Sequence, residues 1–429
     1  MSESTLDFRI TRLGNGRFAS PMQGVRFTEE SDHVVFHSNM DDIRKCLAEG
    51  KEPPSMAVAG PRERIFHNPD NLTCGIVTCG GICPGLNDVI RSIVLSLYHL
   101  YGVRRVLGFR YGYEGLVRPF KSEPLVLTPE SVSRIHESGG TILGSSRGPQ
   151  DAAQMIQTLK DLGVGILFAV GGDGTLKGAR TIAEEALRQG LHIGVIGIPK
   201  TIDNDISFVQ VTFGFDTAVA EAKRASDAAN NEAEAAHNGI GLLKLMGRDS
   251  GFIAAFTVLV NSQVNFCLIP EVPFTMEKFL AKLGDRLKRR GHALIIVAEG
   301  AGQELMQVRG ERDASGNIKQ GDIGVFLRDA INAHFRSAGM PVTLKYIDPS
   351  YTIRSVPANA RDSGFCLLLG QNAVHAGMAG YTNMVVGFWN HRFTHVPIHM
   401  ATSERKKIDP EGALWSSVLA STGQPAEMV

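Results

Sequence analysis

From Leu72 onward, short aliphatic runs repeatedly end in loops rich in glycine or acid. CGIVT leads into CGGICPGLN (79–87), VGILFAV into GGDGTLKGA (171–179), LHIGVIGI into PKTIDND (199–205) and HALIIV into AEGAG (298–302). Apolar runs of this length, bounded by turn residues, read as strands buried on both faces. Longer amphipathic stretches such as DVIRSIVLSLYHLYG and TIAEEALRQG lie between them. Strand, helix and strand in succession call for parallel pairing, because a parallel neighbour is reached only through a crossover. The expected fold class is α/β, with Rossmann-like three-layer domains on mainly parallel sheets.

At 429 residues the chain exceeds one ordinary core, so two such domains are expected. Residues 1 to about 70 are polar and irregular and read as an N-terminal extension. Lys+Arg and Asp+Glu balance at 44 each, which leaves no basic field for nucleic acid and points to a small-molecule partner. The six cysteines show no paired C-x-x-C spacing and read as buried apolar residues in a reducing compartment. The N-terminus lacks a signal-peptide pattern and no window offers a membrane-spanning apolar run, so the expectation is a cytoplasmic chain with no membrane partner.

In open parallel sheets ligands sit beyond the carboxyl ends of the strands. The loop 79–87 follows a strand and opens a helix, so its backbone N–H groups, with Gly80 and Gly81, could close around an anion; a plain turn would look the same. Cys83 within it reads as an inert thiol. GGDGT is sharper. Gly172 and Gly174 leave room for polyphosphate, Asp173 is placed to hold Mg²⁺ against phosphate oxygens, and Thr175 can donate a hydrogen bond. The competing reading is an Asp-Gly turn with Asp173 as helix cap.

If PKTIDND is extended, Thr201, Asp203 and Asp205 share one face while Ile202 and Asn204 point away. Two carboxylates there divide into a base for an acceptor hydroxyl and a metal-associated anion. Further along, KLMGRDSG (244–251) supplies Arg248 for bidentate contact with phosphate, with Gly247 allowing a sugar to approach the backbone. Glu299, ending HALIIVAEG, could accept from sugar hydroxyls. His391, His395 and His399 have helical ligand spacing, but Pro397 and strand-like neighbours defeat a helix there.

Taken together, GGICPGLN, GGTILGSSRG (139–148), GGDGT, PKTIDND, LMGR, AEG and YIDPSYTIRS resemble the 6-phosphofructokinase family, in its long-chain ATP-dependent branch. The resemblance runs from Leu72 to the HVPIHMATS stretch. It implies the phosphofructokinase fold with an N-terminal extension over 1–70, a nucleotide-binding domain over 71–215 with 362–395, and a sugar-phosphate domain over 216–361 with 396–429. It implies a Mg²⁺-dependent, allosteric glycolytic kinase acting on fructose 6-phosphate and ATP as a homo-oligomer. It also assigns roles. Asp203 is the base, Asp173 and Asp205 are the magnesium-associated carboxylates, Thr201 donates in the transition state, and Arg248 stabilises the transferring phosphoryl group. Met246, Gly247, Glu299, Tyr351 and Arg354 match sugar-phosphate contacts. Gly80, Gly81, Arg147, Gly174 and Gly178 match the nucleotide phosphate cradle.

The same resemblance frames the phosphate donor. An Asp after GGD would crowd and repel the α-phosphate of ATP and favour pyrophosphate, so Gly174 points to ATP. Lys200 stands where pyrophosphate enzymes carry Lys and short bacterial ATP enzymes carry Gly. A lysine near phosphates suits either donor, whereas an added Asp excludes one, so Gly174 carries more weight. A catalytically silent nucleotide or sugar-phosphate sensor would have no use for Asp203. Diacylglycerol and NAD kinases share GGDGT but lack PKTIDND followed by MGR.

Overall fold

The computed structural model describes residues 6–118, 122–306, 311 and 318–428. The chain forms two compact units. The first comprises residues 1–201, 206–214 and 357–404, and the second 202–205, 215–356 and 405–429. An undivided segment over 71–215 is expected, but residues 202–205 fall in the second unit, and the first unit's last segment runs over 357–404 rather than 362–395. There the strand Arg392–Pro397 pairs antiparallel with Met384–Trp389, which keeps residues up to 404 in the first unit.

The first unit is built on seven strands, ordered Arg392–Pro397, Met384–Trp389, Gly194–Pro199, Val164–Gly171, Thr73–Thr78, Arg105–Phe109 and Leu125–Val126. The inner pairs are parallel, and only the two outermost are antiparallel. Every residue of Thr73–Thr78 and Gly194–Pro199 is buried, as expected of strands covered on both faces. Phe168, at the middle of Val164–Gly171, is fully buried. Phe168→Ala removes an aromatic side chain that the surrounding sheet cannot collapse to replace. The expected loss is about 3–5 kcal/mol, read as a lower urea midpoint.

Residues 6–70 are not the irregular extension that their polarity suggests. Thr11–Arg12 pairs with Tyr381–Thr382, Phe18–Ala19 with Arg64–Ile65, and His33–Val35 with Ser55–Ala57, while Asn39 caps the helix Met40–Ala48. Scattered aromatics hold the segment in place. Phe36 stacks on Trp389 at 5.1 Å, its carbonyl accepts the Trp389 Nε1–H, and Phe8 meets Phe208 edge-on at 5.3 Å. These contacts are far apart in sequence, so no local periodicity announces them.

The second unit carries a wholly parallel four-stranded sheet, ordered Phe266–Leu268, His292–Ala298, Gly239–Leu245 and Thr343–Ile347. Gln424 seals its edge from the C-terminal segment, its Oε1 accepting the Cys267 N–H at 2.6 Å and its Nε2 donating to the Cys267 carbonyl at 3.2 Å. All six cysteines are buried. Among the described residues no helix is long and apolar enough to cross a membrane.

Candidate active site

In the first unit, three loops at the carboxyl ends of adjacent parallel strands are tied together. The strand Val164–Gly171 passes directly into the helix Asp173–Arg188, with Gly172 as N-cap. This puts the N–H groups of the first helical turn at the strand end, where an anion is favoured. The neighbouring strand ends at Pro199, and the Lys200 N–H donates to the Gly171 carbonyl at 3.0 Å. Lys200 Nζ crosses to the next loop and donates to the Gly81 carbonyl at 2.6 Å. Gly80 has φ +85°, where a side chain would be strained, and its N–H donates to the Ser146 carbonyl while its own carbonyl accepts from Ser145 Oγ. Arg147 follows, exposed to solvent.

Gly80, Gly81, Lys200, Gly172 and the loop bearing Arg147 therefore form one cradle. Asp173 begins the helix and pairs with Lys177 at 2.9 Å. A Cβ built on Gly174 would meet nothing within 4 Å. Two further residues expected at the nucleotide site are also tied into the fold around them. Thr175 is buried, bonds to Cys79, and offers its carbonyl to the Tyr113 hydroxyl at 2.8 Å. Gly178 lies against the Tyr113 ring, where a Cβ would come within 2.7 Å. Cys83 is buried and donates to the Phe213 carbonyl.

PKTIDND is not extended. The strand stops at Pro199, Ile202 and Asp203 form a turn, and Asn204 has φ +55°. The left-handed residue breaks the two-residue alternation, so the shared face of Thr201, Asp203 and Asp205 does not follow from strand geometry. Thr201 instead ends the first unit's segment, its carbonyl accepting from Thr212 Oγ1 at 2.7 Å.

Asp203 and Asp205 belong to the second unit, where each finds a different environment. The Asp203 carboxyl is pushed up to about 7, first by burial and then by the charges of Asp205 and Glu299, against the pull of Arg354 and a hydrogen bond from the Arg248 backbone N–H. Asp205 is 3% exposed, with Oδ2 3.1 Å from Arg405 Nη1 and its carbonyl accepting the Lys406 N–H at 2.9 Å. Lys406 lies with its ammonium 5.3 Å from the Phe252 ring, and burial lowers its pKa to about 8 despite Asp205.

Around them the ends of two parallel strands converge. The Glu299 N–H donates to the Leu245 carbonyl at 2.9 Å, and the Gly300 N–H to the Gly247 carbonyl at 3.0 Å. Gly247 has φ +134°, and a Cβ there would strike the Ser250 carbonyl oxygen at 2.6 Å, so the glycine serves this turn as well as any ligand. The Arg248 guanidinium is held by the Ile318 carbonyl. Arg354 Nε lies 3.1 Å from Met246 Sδ, and Met246 itself is fully buried, so its side chain supports Arg354 rather than offering a surface. Tyr351 is 84% exposed. His395 is fully buried within the strand Arg392–Pro397 and packs on Tyr381, while His391 sits in the preceding turn.

Four residues near these groups were not singled out from sequence: Lys244, Asp348, Arg405 and Glu271. Glu271 accepts the N–H groups of Gly251 and Ile408 and so fastens the C-terminal segment to the loop after Arg248. A lone lysine inside the aliphatic run GIGLLKL was the one legible signal among them.

Several known proteins are similar to this chain. The family model described as Phosphofructokinase matches residues 73–377. An ATP-dependent 6-phosphofructokinase of Borreliella burgdorferi is 47% identical, over 100% of this chain and 99% of that protein. One of Trypanosoma cruzi is 46% identical over 96% of this chain and 87% of its own length, and ATP-dependent 6-phosphofructokinase 7 of Arabidopsis thaliana is 46% identical over 86% and 76%. Among solved structures, a pyrophosphate-dependent phosphofructokinase from Marinobacter aquaeolei superposes with a TM-score of 0.68 at 20% identity, covering 82% of this chain and 91% of its own. That likeness concerns the fold.

Proposed function

The chain belongs to the phosphofructokinase family, and from that premise we propose that it transfers the γ-phosphoryl group of ATP to the 1-hydroxyl of fructose 6-phosphate. The observation that carries the chemistry is the Asp203 carboxyl. A general base works best with a pKa near the operating pH, and burial beside Asp205 and Glu299 lifts this one to about 7. In this reading Asp203 takes the proton from the 1-hydroxyl as the oxygen attacks phosphorus. Arg248 neutralises charge on the transferring group, and Thr201 donates to it. Arg354, Glu299, Tyr351 and the Met246–Gly247 backbone orient the sugar phosphate. The phosphates of ATP lie on Gly80, Gly81, Arg147, Gly172, Gly174 and the helix N-terminus, with Lys200 adding positive charge.

Carboxylate oxygens suit Mg²⁺, which is commonly held by one or two carboxylates together with substrate phosphates. Asp173, partly exposed at the start of its helix, fits that demand. Asp205 has the right chemistry but is already engaged by Arg405, so its part is that of a nearby negative charge or a water-mediated ligand. When bound with the nucleotide, Mg²⁺ would neutralise charge on the β- and γ-phosphate oxygens.

The test is a paired assay of the purified chain with fructose 6-phosphate and Mg²⁺, offering ATP in one reaction and pyrophosphate in the other. Turnover with ATP alone is expected. Turnover with pyrophosphate alone would transfer the deciding role from Gly174 to Lys200, and no turnover with either would leave a sugar-phosphate or nucleotide sensor.

A further inference from the structure

We propose that Lys244 is a positioning residue for sugar-phosphate binding: its ammonium joins Asp348 to Asp322 and thereby holds the segments that carry Arg354 and back Arg248. The inference rests on the roles given above to the second unit.

Lys244 interrupts the aliphatic strand Gly239–Leu245, and its side chain is 12% exposed. Nζ lies 2.8 Å from Asp348 Oδ2 and 3.2 Å from Asp322 Oδ2. An ammonium withdrawn this far from water is costly unless paired. Burial alone would lower its pKa, but the two carboxylates hold it above the ordinary lysine value. Burial likewise favours a neutral Asp348, yet Lys244 and Ser350 hold that carboxyl below the usual range. The pair is therefore ionised at neutral pH.

Each carboxylate governs a different segment. Asp348 Oδ1 accepts from the Ser350 N–H at 3.1 Å and from Ser350 Oγ at 2.5 Å, at the start of the short helix Ser350–Ser355 that carries Tyr351 and Arg354. Asp322 caps the helix Ile323–Ser337 through the Gly324 and Val325 N–H groups. Just before it, the Ile318 carbonyl takes the Arg248 guanidinium and Gln320 Nε2 donates to the Arg248 carbonyl at 3.2 Å. The strand register brings Leu243 beside Ile347, where the pairing ends, so Lys244 and Asp348 directly follow that last pair. One ammonium thus fixes both segments, without itself lying among the residues assigned to the ligand.

The test compares the wild type with Lys244→Met and Lys244→Arg in the full chain, measuring kcat and the KM of each substrate together with the thermal midpoint. Misplaced binding groups cost binding selectively, so Lys244→Met is expected to raise the KM for fructose 6-phosphate about tenfold, with kcat within about threefold and the KM for ATP unchanged. Lys244→Arg should restore the sugar-phosphate KM to within about threefold of wild type, because a cation again bridges the carboxylates. A merely structural role would lower the thermal midpoint and the active fraction without separating the two KM values. An unchanged sugar-phosphate KM in folded Lys244→Met, or parallel changes in both KM values, would overturn the proposal. If Lys244→Met does not yield folded protein, Asp348→Asn, which keeps the Lys244–Asp322 pair, is read by the same split and the same criteria. A wild type inactive on fructose 6-phosphate with either donor defeats the functional reading itself, a result distinct from an active wild type whose variant shows no split.

Discussion

Asp203→Asn is expected to lower kcat by about 10²–10⁴-fold, the usual contribution of a positioned general base, with little change in the KM of either substrate. Asparagine keeps the shape and the acceptor oxygen that meets the Arg248 N–H, but it cannot take the proton of the attacking hydroxyl. A variant that retained more than about a tenth of wild-type kcat would remove Asp203 from the base role. The wild type has a matching pH signature. Because Asp203 must be ionised to act and its carboxyl is raised to about 7, kcat/KM should fall as pH drops through that value.

Stability should respond in the opposite direction. The fold disfavours the charged form of Asp203, so this group's stabilising contribution is complete below the ordinary aspartate pKa of about 4 and is lost as pH rises through about 7. Asn cannot ionise. The inactive variant should therefore melt higher than the wild type at pH 8, with the advantage shrinking at pH 5. That combination of lost turnover and gained stability identifies a carboxylate kept under strain for its chemistry. A variant less stable than wild type at pH 8 would mean that Asp203 is instead an ordinary structural carboxylate.

Gly174→Asp is expected to reduce kcat/KM for ATP by about 10²–10³-fold, since a carboxylate placed toward the α-phosphate adds like-charge repulsion of several kcal/mol. The fold should tolerate it. A Cβ at Gly174 meets nothing within 4 Å, and an acid in the first turn of the helix Asp173–Arg188 is electrostatically favourable, so the thermal midpoint should hold steady. Lys200 should not rescue the variant with ATP, because its ammonium is bonded to the Gly81 carbonyl. The decisive measurement is the ratio of kcat/KM for ATP to that for pyrophosphate in wild type and variant. An ATP efficiency within about tenfold of wild type would show that the donor is chosen elsewhere.

Much of this protein was legible in local pattern. Aliphatic runs closed by glycine announced the parallel strands, because a strand covered on both faces must be apolar throughout and a helix must start close to its end. The order of GGDGT, PKTIDND, LMGR and AEG carried the chemistry. Its candidate residues lie at those strand ends, with Gly80, Gly81, Gly172 and Lys200 brought together in one unit and Asp203, Arg248, Glu299 and Arg354 in the other. Some details needed three dimensions. Extension would put Thr201, Asp203 and Asp205 on one face, but Asn204 in the left-handed region turns the segment. Gly247 and Gly178 are also required by the fold itself, since a Cβ there would meet the Ser250 carbonyl and the Tyr113 ring.

What the sequence by itself determined was the class of fold and the kind of chemistry, since both depend on residue types at short, regular spacings. Only the tertiary structure decided the state of each group. Asp203 is raised because Asp205, Glu299 and burial outweigh Arg354, and Asp205 is restrained by Arg405, 200 residues away along the chain. Residues 6–70 join the first unit through Phe36 on Trp389, and Lys244 ties Asp322 to Asp348. Charge coupling and packing act over a few ångströms of space, whatever the separation in sequence, so these properties had no local pattern to read.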